Sequence, residues 1–287
     1  MEVIMDIKLV KKLREETGAG MLDCKKALEE ANGKYENAQK ILLEQSTKNQ
    51  GNTRVASKGL CSVVINQNEA ILFEVNAETD FVAKNDHFKV LIKDLGDQLI
   101  RTKVTNQKDA LKVDIDGMTV QQKIDVTSSL IKENAQLRRF YRVIKSDNQS
   151  FGSYVHLGGK IVTLVILDGN NDLIANDLAM QVAANSPLYL DPKTIDIDTI
   201  NYEKFMYEKE HKIFDQIGFD THLNSICLST QPYIKNPEKT IADLVISNQL
   251  TVLDFFRFEL GQGIENKLNC KLDIPCDGSQ ITVTPIY

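Results

Sequence analysis

The feature that most constrains this chain is a strand passing into a helix across a short polar turn, between Ile71 and Leu99. Ile71-Leu72-Phe73-Glu74-Val75 is a β-branched and aromatic run that puts Ile71, Phe73 and Val75 on one face. Phe88, Leu91, Ile92, Leu95 and Leu99 then recur at the spacing of a buried helical stripe. Between them lies a polar tip carrying an acid beside a large aromatic, Asp80-Phe81. On periodicity alone, Asp80 or Asn85 is an N-cap and Phe81 is a core residue tucked under the helix.

Composition excludes several classes of function. The net charge of −6 argues against a direct nucleic-acid binder, which needs a basic face. The pairs Lys11-Lys12, Lys25-Lys26 and Arg138-Arg139 read instead as solvated faces or spot contacts with an acidic partner. No apolar run is long enough to cross a membrane. The start, Met1 to Asp6, lacks a basic region followed by an apolar one, so a cytoplasmic protein is expected. Cys24, Cys61, Cys227, Cys270 and Cys276 are odd in number and lack C-x-x-C spacing, which suits reduced thiols.

Nothing in the chain assembles a catalytic constellation or calls for a metal or other cofactor. His87, His156, His211 and His222 are scattered, and none sits at zinc-ligand spacing from two cysteines. Cys24 lies between an acid and two lysines, which would lower its pKa, but its position on an apolar stripe reads as a buried structural thiol. The Gly18-Ala19-Gly20 loop lacks the Lys-Ser/Thr ending of a phosphate-binding loop and follows no strand.

Taken in order, residues 6–46 read as three short helices with inward stripes Ile7/Val10/Leu13, Met21/Cys24/Leu28/Ala31 and Tyr35/Ala38/Leu42, the second stopped at Asn32-Gly33. A polar linker follows, from Gln45 to Ser57. Strands Leu60–Ile65 and Ala70–Val75 flank a turn at Asn66-Gln67-Asn68. After the tip come a helix to about Arg101, a second over Val120–Glu133, and a strand over Leu137–Ile144. A second unit repeats the order of elements: a strand opening at Phe151, the strand Ile161–Leu167, and a helix over Asp172–Asn185. Asn201–Gln216 reads as a helix with Tyr202, Phe205, Met206, Lys209 and Ile213 on its stripe, and Thr221–Leu228 as a short return. Thr240–Asn248 reads as a helix and Thr251–Leu260 as a strand; alternation in Gln280-Ile281-Thr282-Val283-Thr284 suggests one more strand.

Two long motifs now carry a resemblance. Glu74-Val75-Asn76-Ala77-Glu78-Thr79-Asp80-Phe81-Val82-Ala83-Lys84-Asn85 resembles the E-V-N-x-E-T-D-F-V-A-K-N string of the translation elongation factor Ts family. Leu13 to Leu28, L-R-E-E-T-G-A-G-M-L-D-C-K-K-A-L, is similar to that family's N-terminal motif. Gly152-Ser153-Tyr154, with His156 and Gly158-Gly159, resembles its G-S-Y-x-H-x-G-G. Gln231-Pro232-Tyr233 and Arg257 to Glu265 resemble its Q-P-F and its R-F-x-V-G-E-G-I-E ending.

The resemblance implies an α+β fold. Residues 1–50 would form a three-helix bundle like a ubiquitin-associated domain, 51–58 a linker, 59–148 and 149–265 two repeated α+β subdomains, and 266–287 a tail. The family's protruding helical hairpin is expected to be shortened here, over about 190–229, because Ile217-Gly218-Phe219-Asp220 stands where a longer turn is usual. The family exchanges guanine nucleotide on elongation factor Tu without covalent catalysis, so that G protein is the implied partner. Phe81 would insert between two helices of the G domain, Asp80 would disturb the magnesium region, and Thr79 and Val82 would fix the tip. Lys11, Arg14, Met21 and Leu22 would grip another G-domain helix, and His156 would approach the phosphate-loop side or a β-domain. Two positions that the family fills with basic contacts hold Asn176 and Asp177, so that affinity is expected to be lost or reversed in sign. The alternative is a non-exchanging, chaperone-like binder of the same G protein. Oligomeric state is not legible in the sequence.

Overall fold

The computed structural model describes residues 7–17, 19–48, 55–212 and 214–263. These fall into two compact units, one drawn from residues 1–64, 71–142 and 259–287, the other from 65–70 and 143–258.

The first unit opens with α1 (Ile7–Thr17), α2 (Met21–Glu30) and α3 (Tyr35–Lys48). Val10, Leu13, Cys24, Ala27, Leu28, Ala38 and Leu42 form their shared core. Met21, expected on the inward stripe, is 39% exposed, because it sits in the first turn of α2, ahead of the contact with α1 and α3. The Asn-Gly stop works as read: Asn32 and Gly33 both take the left-handed conformation, and the Gly33 amide returns to the Leu28 carbonyl at 2.8 Å.

Strands β1 (Lys58–Asn66) and β2 (Glu69–Ala77) form a hairpin. A 3-10 turn, Asp80–Lys84, leads to α4 (Asp86–Leu99). Next come α5 (Gln107–Ala110) and the short pair β3 (Asp114–Ile115) and β4 (Met118–Thr119), elements the sequence reading did not resolve. A capping box between Thr119 and Gln122 then starts α6 (Val120–Ile131), and β5 (Gln136–Ile144) completes a sheet of order β1-β2-β5. The predicted faces meet: Ile71, Phe73 and Val75 pack on Phe88, Leu91, Leu95 and Leu99, joined by Ile124 and Phe140.

As the middle strand, β2 is covered on its other face too, which buries Glu74 completely. Arg138 and Arg139 are therefore not solvated, as expected from sequence, but turn inward to neutralise it. Arg138 Nη1 lies 3.0 Å from a Glu74 carboxylate oxygen and Arg139 Nε 2.6 Å, while the Gly261 amide donates to the same carboxylate at 2.9 Å. A buried charge persists only with such partners.

The second unit has the same order of elements. Strands β6 (Gln149–His156) and β7 (Ile161–Asp168) pair antiparallel from Gln149 opposite Asp168 to His156 opposite Ile161. Helix α7 (Asp172–Asn185) lies on both strands. It comes so near β6 that a Cβ at Gly152 would stand 1.9 Å from the Ala175 carbonyl. After α8 (Ile197–His211) and α9 (Gln216–Ile226), the small pair β8 (Pro232–Tyr233) and β9 (Asn236–Thr240) leads to α10 (Ile241–Ser247). Last comes β10 (Thr251–Glu259), giving a sheet of order β6-β7-β10. In each unit a hairpin precedes a helix, and a later strand joins the hairpin's second strand.

The helical arm departs from its sequence reading. Its return segment is a full helix, and Ile217-Gly218-Phe219-Asp220 is the first turn of α9, not a loop. Side-chain caps explain this: Asp196 accepts from the Thr199 amide at 2.9 Å and starts α8 early, and Asp215 accepts from the Gly218 amide at 2.8 Å. The expected stripe is also turned outward. Tyr202, Phe205 and Met206 are exposed, whereas Glu203 and Tyr207 are buried, Tyr207 against Phe219. Ile213 and the strand expected at 280–284 lie outside the described residues.

Candidate partner interface

The tip grows out of β2. At its exit Glu78 accepts from the Asn134 amide at 3.3 Å. Thr79 is extended and gives both its donors to one carboxylate: its amide lies 2.8 Å from Glu133 Oε2 and its hydroxyl 2.5 Å from Glu133 Oε1. Glu133 can reach Thr79 because Lys132 closes α6 in the left-handed conformation (φ 59°), so the chain leaves the helix axis before Glu133.

From Thr79 the backbone winds as a 3-10 turn, with three residues per turn. Residues 79, 82 and 85 therefore share a side, and the intervening ones point elsewhere. Val82 is buried in the core of the unit, and the Asn85 amide closes the turn on the Val82 carbonyl at 2.9 Å. The Asn85 side chain then caps α4 by accepting from the His87 amide at 2.9 Å. With Val82 held inside, Phe81 must face out: it is 76% exposed, and Asp80 beside it is exposed too. The reading of Phe81 as a core residue is thus overturned, and of the two N-cap candidates for α4 Asn85 takes the role.

Exposing an aromatic ring of this size to water forgoes about 1.5–3 kcal/mol of burial. The ring sits on a turn fixed at three points, Thr79, Val82 and Asn85, so it is presented rather than loosely displayed. Thr79 and Val82 belong to the support, and Asp80 and Phe81 to the surface.

On the three-helix bundle, Lys11 and Arg14 are exposed three residues apart on α1, and Leu22 is 73% exposed at the start of α2 next to Met21. Lys12 and Lys25, their neighbours, make long exposed ion pairs with Glu16 (3.8 Å) and Glu29 (3.9 Å), and the Lys12 ammonium also lies over the Tyr35 ring, 5.0 Å from its centroid. Both surfaces belong to the first unit, and α6, which precedes the Glu133 that holds Thr79, lies against α1 and α3. Cys24 is fully buried, and burial pushes its thiol above the ordinary value, so it is a core thiol rather than a nucleophile.

His156 belongs to the second unit, at the last position of β6, half-buried with its ring 6.0 Å from that of Tyr154. In that unit Asn176 and Asp177 have local work. Asn176 accepts from the Ser153 amide at 3.0 Å, and Asp177 takes the Tyr233 hydroxyl at 2.6 Å and the Lys235 ammonium at 2.5 Å.

Sequence reasoning missed Glu133 and Asn134 as supports of the tip. Both are polar residues after a helix, far along the chain from Thr79, and only the left-handed Lys132 turns them back. No local pattern announces that.

Among known proteins, the family model described as Elongation factor TS matches residues 78–262. An elongation factor Ts of Acholeplasma laidlawii (strain PG-8A) is 40% identical over 278 residues, covering 91% of this chain and 94% of its own. One from Phytoplasma australiense is 35% identical over 268 residues, covering 88% of this chain and 97% of its own. With a family match over more than half its length and relatives aligned almost end to end, this chain belongs to the elongation factor Ts family.

Proposed function

We propose that the protein is a guanine-nucleotide exchange factor for elongation factor Tu, acting during translation elongation. The observation that carries the reading is Phe81, an exposed aromatic on a turn clamped by Thr79, Val82 and Asn85. A G protein holds its nucleotide through a phosphate loop and a Mg²⁺ ion with strict geometry. A partner that binds the nucleotide-free form better than the loaded one lowers nucleotide affinity by the same factor. A rigid scaffold with one apolar wedge and an adjacent carboxylate meets that need without covalent chemistry. Phe81 is the wedge, entering between two helices of the G domain, and Asp80 disturbs the magnesium region. Lys11, Arg14, Met21 and Leu22, on a bundle we read as ubiquitin-associated-like, grip a second G-domain helix. His156 contributes from the other unit, on the phosphate-loop side or against a β-domain.

Release of fluorescent GDP from elongation factor Tu, measured with wild type and Phe81→Ala, tests this. Burial of the exposed part of the ring, scaled from about 1.5–3 kcal/mol for a whole side chain, sets a loss of roughly 6- to 50-fold in exchange efficiency. Acceleration that survives the substitution moves the mechanism away from Phe81. Binding without acceleration by wild type leaves a non-exchanging binder.

A further inference from the structure

The hairpin of β6 and β7 reverses through Leu157-Gly158-Gly159-Lys160, between the last paired residues, His156 and Ile161. The Gly159 amide returns to the His156 carbonyl at 3.1 Å, and the two residues inside that turn, Leu157 and Gly158, have φ of 48° and 65°. Turns of this hand favour Asn, Asp or Gly, because an ordinary side chain brings its Cβ against the following carbonyl oxygen. The chain uses the favoured chemistry between β3 and β4, where Asp116 and Gly117 take φ of 56° and 83°. Among the described residues, eight that are not glycine have positive φ, and Leu157 is the one with an apolar side chain. An Asn or Asp recovers part of the backbone cost by bonding nearby backbone groups, which a leucine cannot do.

Packing does not compensate either. Leu157 is 65% exposed. Tyr154 and His156 fall on the face of β6 where Gly152 meets α7, so Val155 points away from that core and is exposed as well. Lys160, also exposed, is the sole formal charge between Gln149 and Leu167. The turn thus presents an apolar side chain with one cation beside it, at a cost in both backbone conformation and burial. Strain kept at an exposed site points to function.

We propose that Leu157 anchors the second unit on elongation factor Tu, entering an apolar pocket whose rim carries a carboxylate for Lys160. This rests on the proposed function and adds an apolar contact beside His156. Leu157 holds the variable place between the histidine and the two glycines of the family motif, so the resemblance assigns it no role.

Leu157→Asn separates the two demands on this position. Asparagine suits the left-handed turn, so the urea midpoint shifts upward at unchanged m-value. Affinity for nucleotide-free elongation factor Tu, by calorimetry, falls about 5- to 30-fold, the exposed share of a leucine's burial. Leu157→Met, still apolar and of similar volume, loses less than Leu157→Asn. Lys160→Ala lessens the salt dependence of the affinity. Full affinity in Leu157→Asn, or salt dependence untouched by Lys160→Ala, overturns the proposal while leaving exchange activity standing. A lower midpoint in Leu157→Asn also overturns it, because Leu157 would then be serving its own fold. A wild type that does not bind elongation factor Tu removes the functional reading and this contact together.

Discussion

The fork between Thr79 and Glu133 allows the order of the tip to be dissected quantitatively. Thr79→Val keeps the β-branched shape and removes only the hydroxyl, 2.5 Å from Glu133 Oε1. A hydrogen bond to a charged group contributes about 1.5–3 kcal/mol, and partial exposure puts this one at the lower end. Thr79→Val should therefore raise the local opening constant of the turn by about tenfold. Glu133→Ala removes the partner of both the hydroxyl and the amide, about 3 kcal/mol together, or roughly 150-fold. With Glu133 gone the hydroxyl has lost its partner, so Thr79→Val in that background should add less than about 0.5 kcal/mol. The reporter is the Asn85 amide, which closes the turn on the Val82 carbonyl at 2.9 Å and exchanges only when the turn opens. Under the proposed function, GDP release slows in the same rank order. Additive effects, with Thr79→Val acting equally in both backgrounds, would refute the claim that this carboxylate organises the tip.

Other residues give independent checks. Leu22→Glu, at a site 73% exposed, should change the unfolding free energy from urea titration by less than about 0.5 kcal/mol and, under the proposed function, weaken elongation factor Tu binding by calorimetry. Glu74→Ala leaves two arginines without their buried counter-ion and should lower unfolding free energy by about 3 kcal/mol, read from urea titration at constant m-value. Burial pushes the thiols of Cys61 and Cys227 up to about 12, helped by Glu74 at the first and by Asp191 and Glu203 at the second. Above pH 9 the unfolded chain releases these protons while the fold retains them, so stability should decline as pH rises from about 9 towards 12. At pH 8 both should resist iodoacetamide until urea unfolds the protein.

How much of this was legible in sequence follows from where each residue's partners lie. Helix stripes and strand alternation depend on residues within a few positions, so Phe88 to Leu99 and Ile71 to Val75 were read onto the faces they occupy. The arm failed for the same reason in reverse. Tyr202, Phe205 and Met206 have helical spacing, but Glu203 and Tyr207 take the inward face, where the Tyr189 hydroxyl donates to Glu203 at 2.7 Å and Phe219 meets Tyr207. Residues distant in the chain decided which stripe was buried. The two aspartate caps were local signals that could have bounded both helices. Arg138-Arg139 was misread because a basic pair is ordinarily solvated, and only the coverage of β2 on both faces makes Glu74 demand it.

The string from Glu74 to Asn85 shows why a single motif can mix fold and function. Glu74 and Asn76 are both buried, Glu74 under two arginines and Asn76 donating to the Ala56 carbonyl at 3.2 Å, so they fix the end of β2. Thr79, Val82 and Asn85 fall on one side because a 3-10 turn repeats every three residues, and each is tied to a different support. That leaves the outward positions unconstrained by packing, and two of them hold Asp80 and Phe81. A serine or lysine at 81 would satisfy the fold as well as phenylalanine does, since the side chain contributes almost nothing to the core. The aromatic ring is therefore the part of the string that folding does not require, and under the proposed function a partner surface is the physical reason for it to be there.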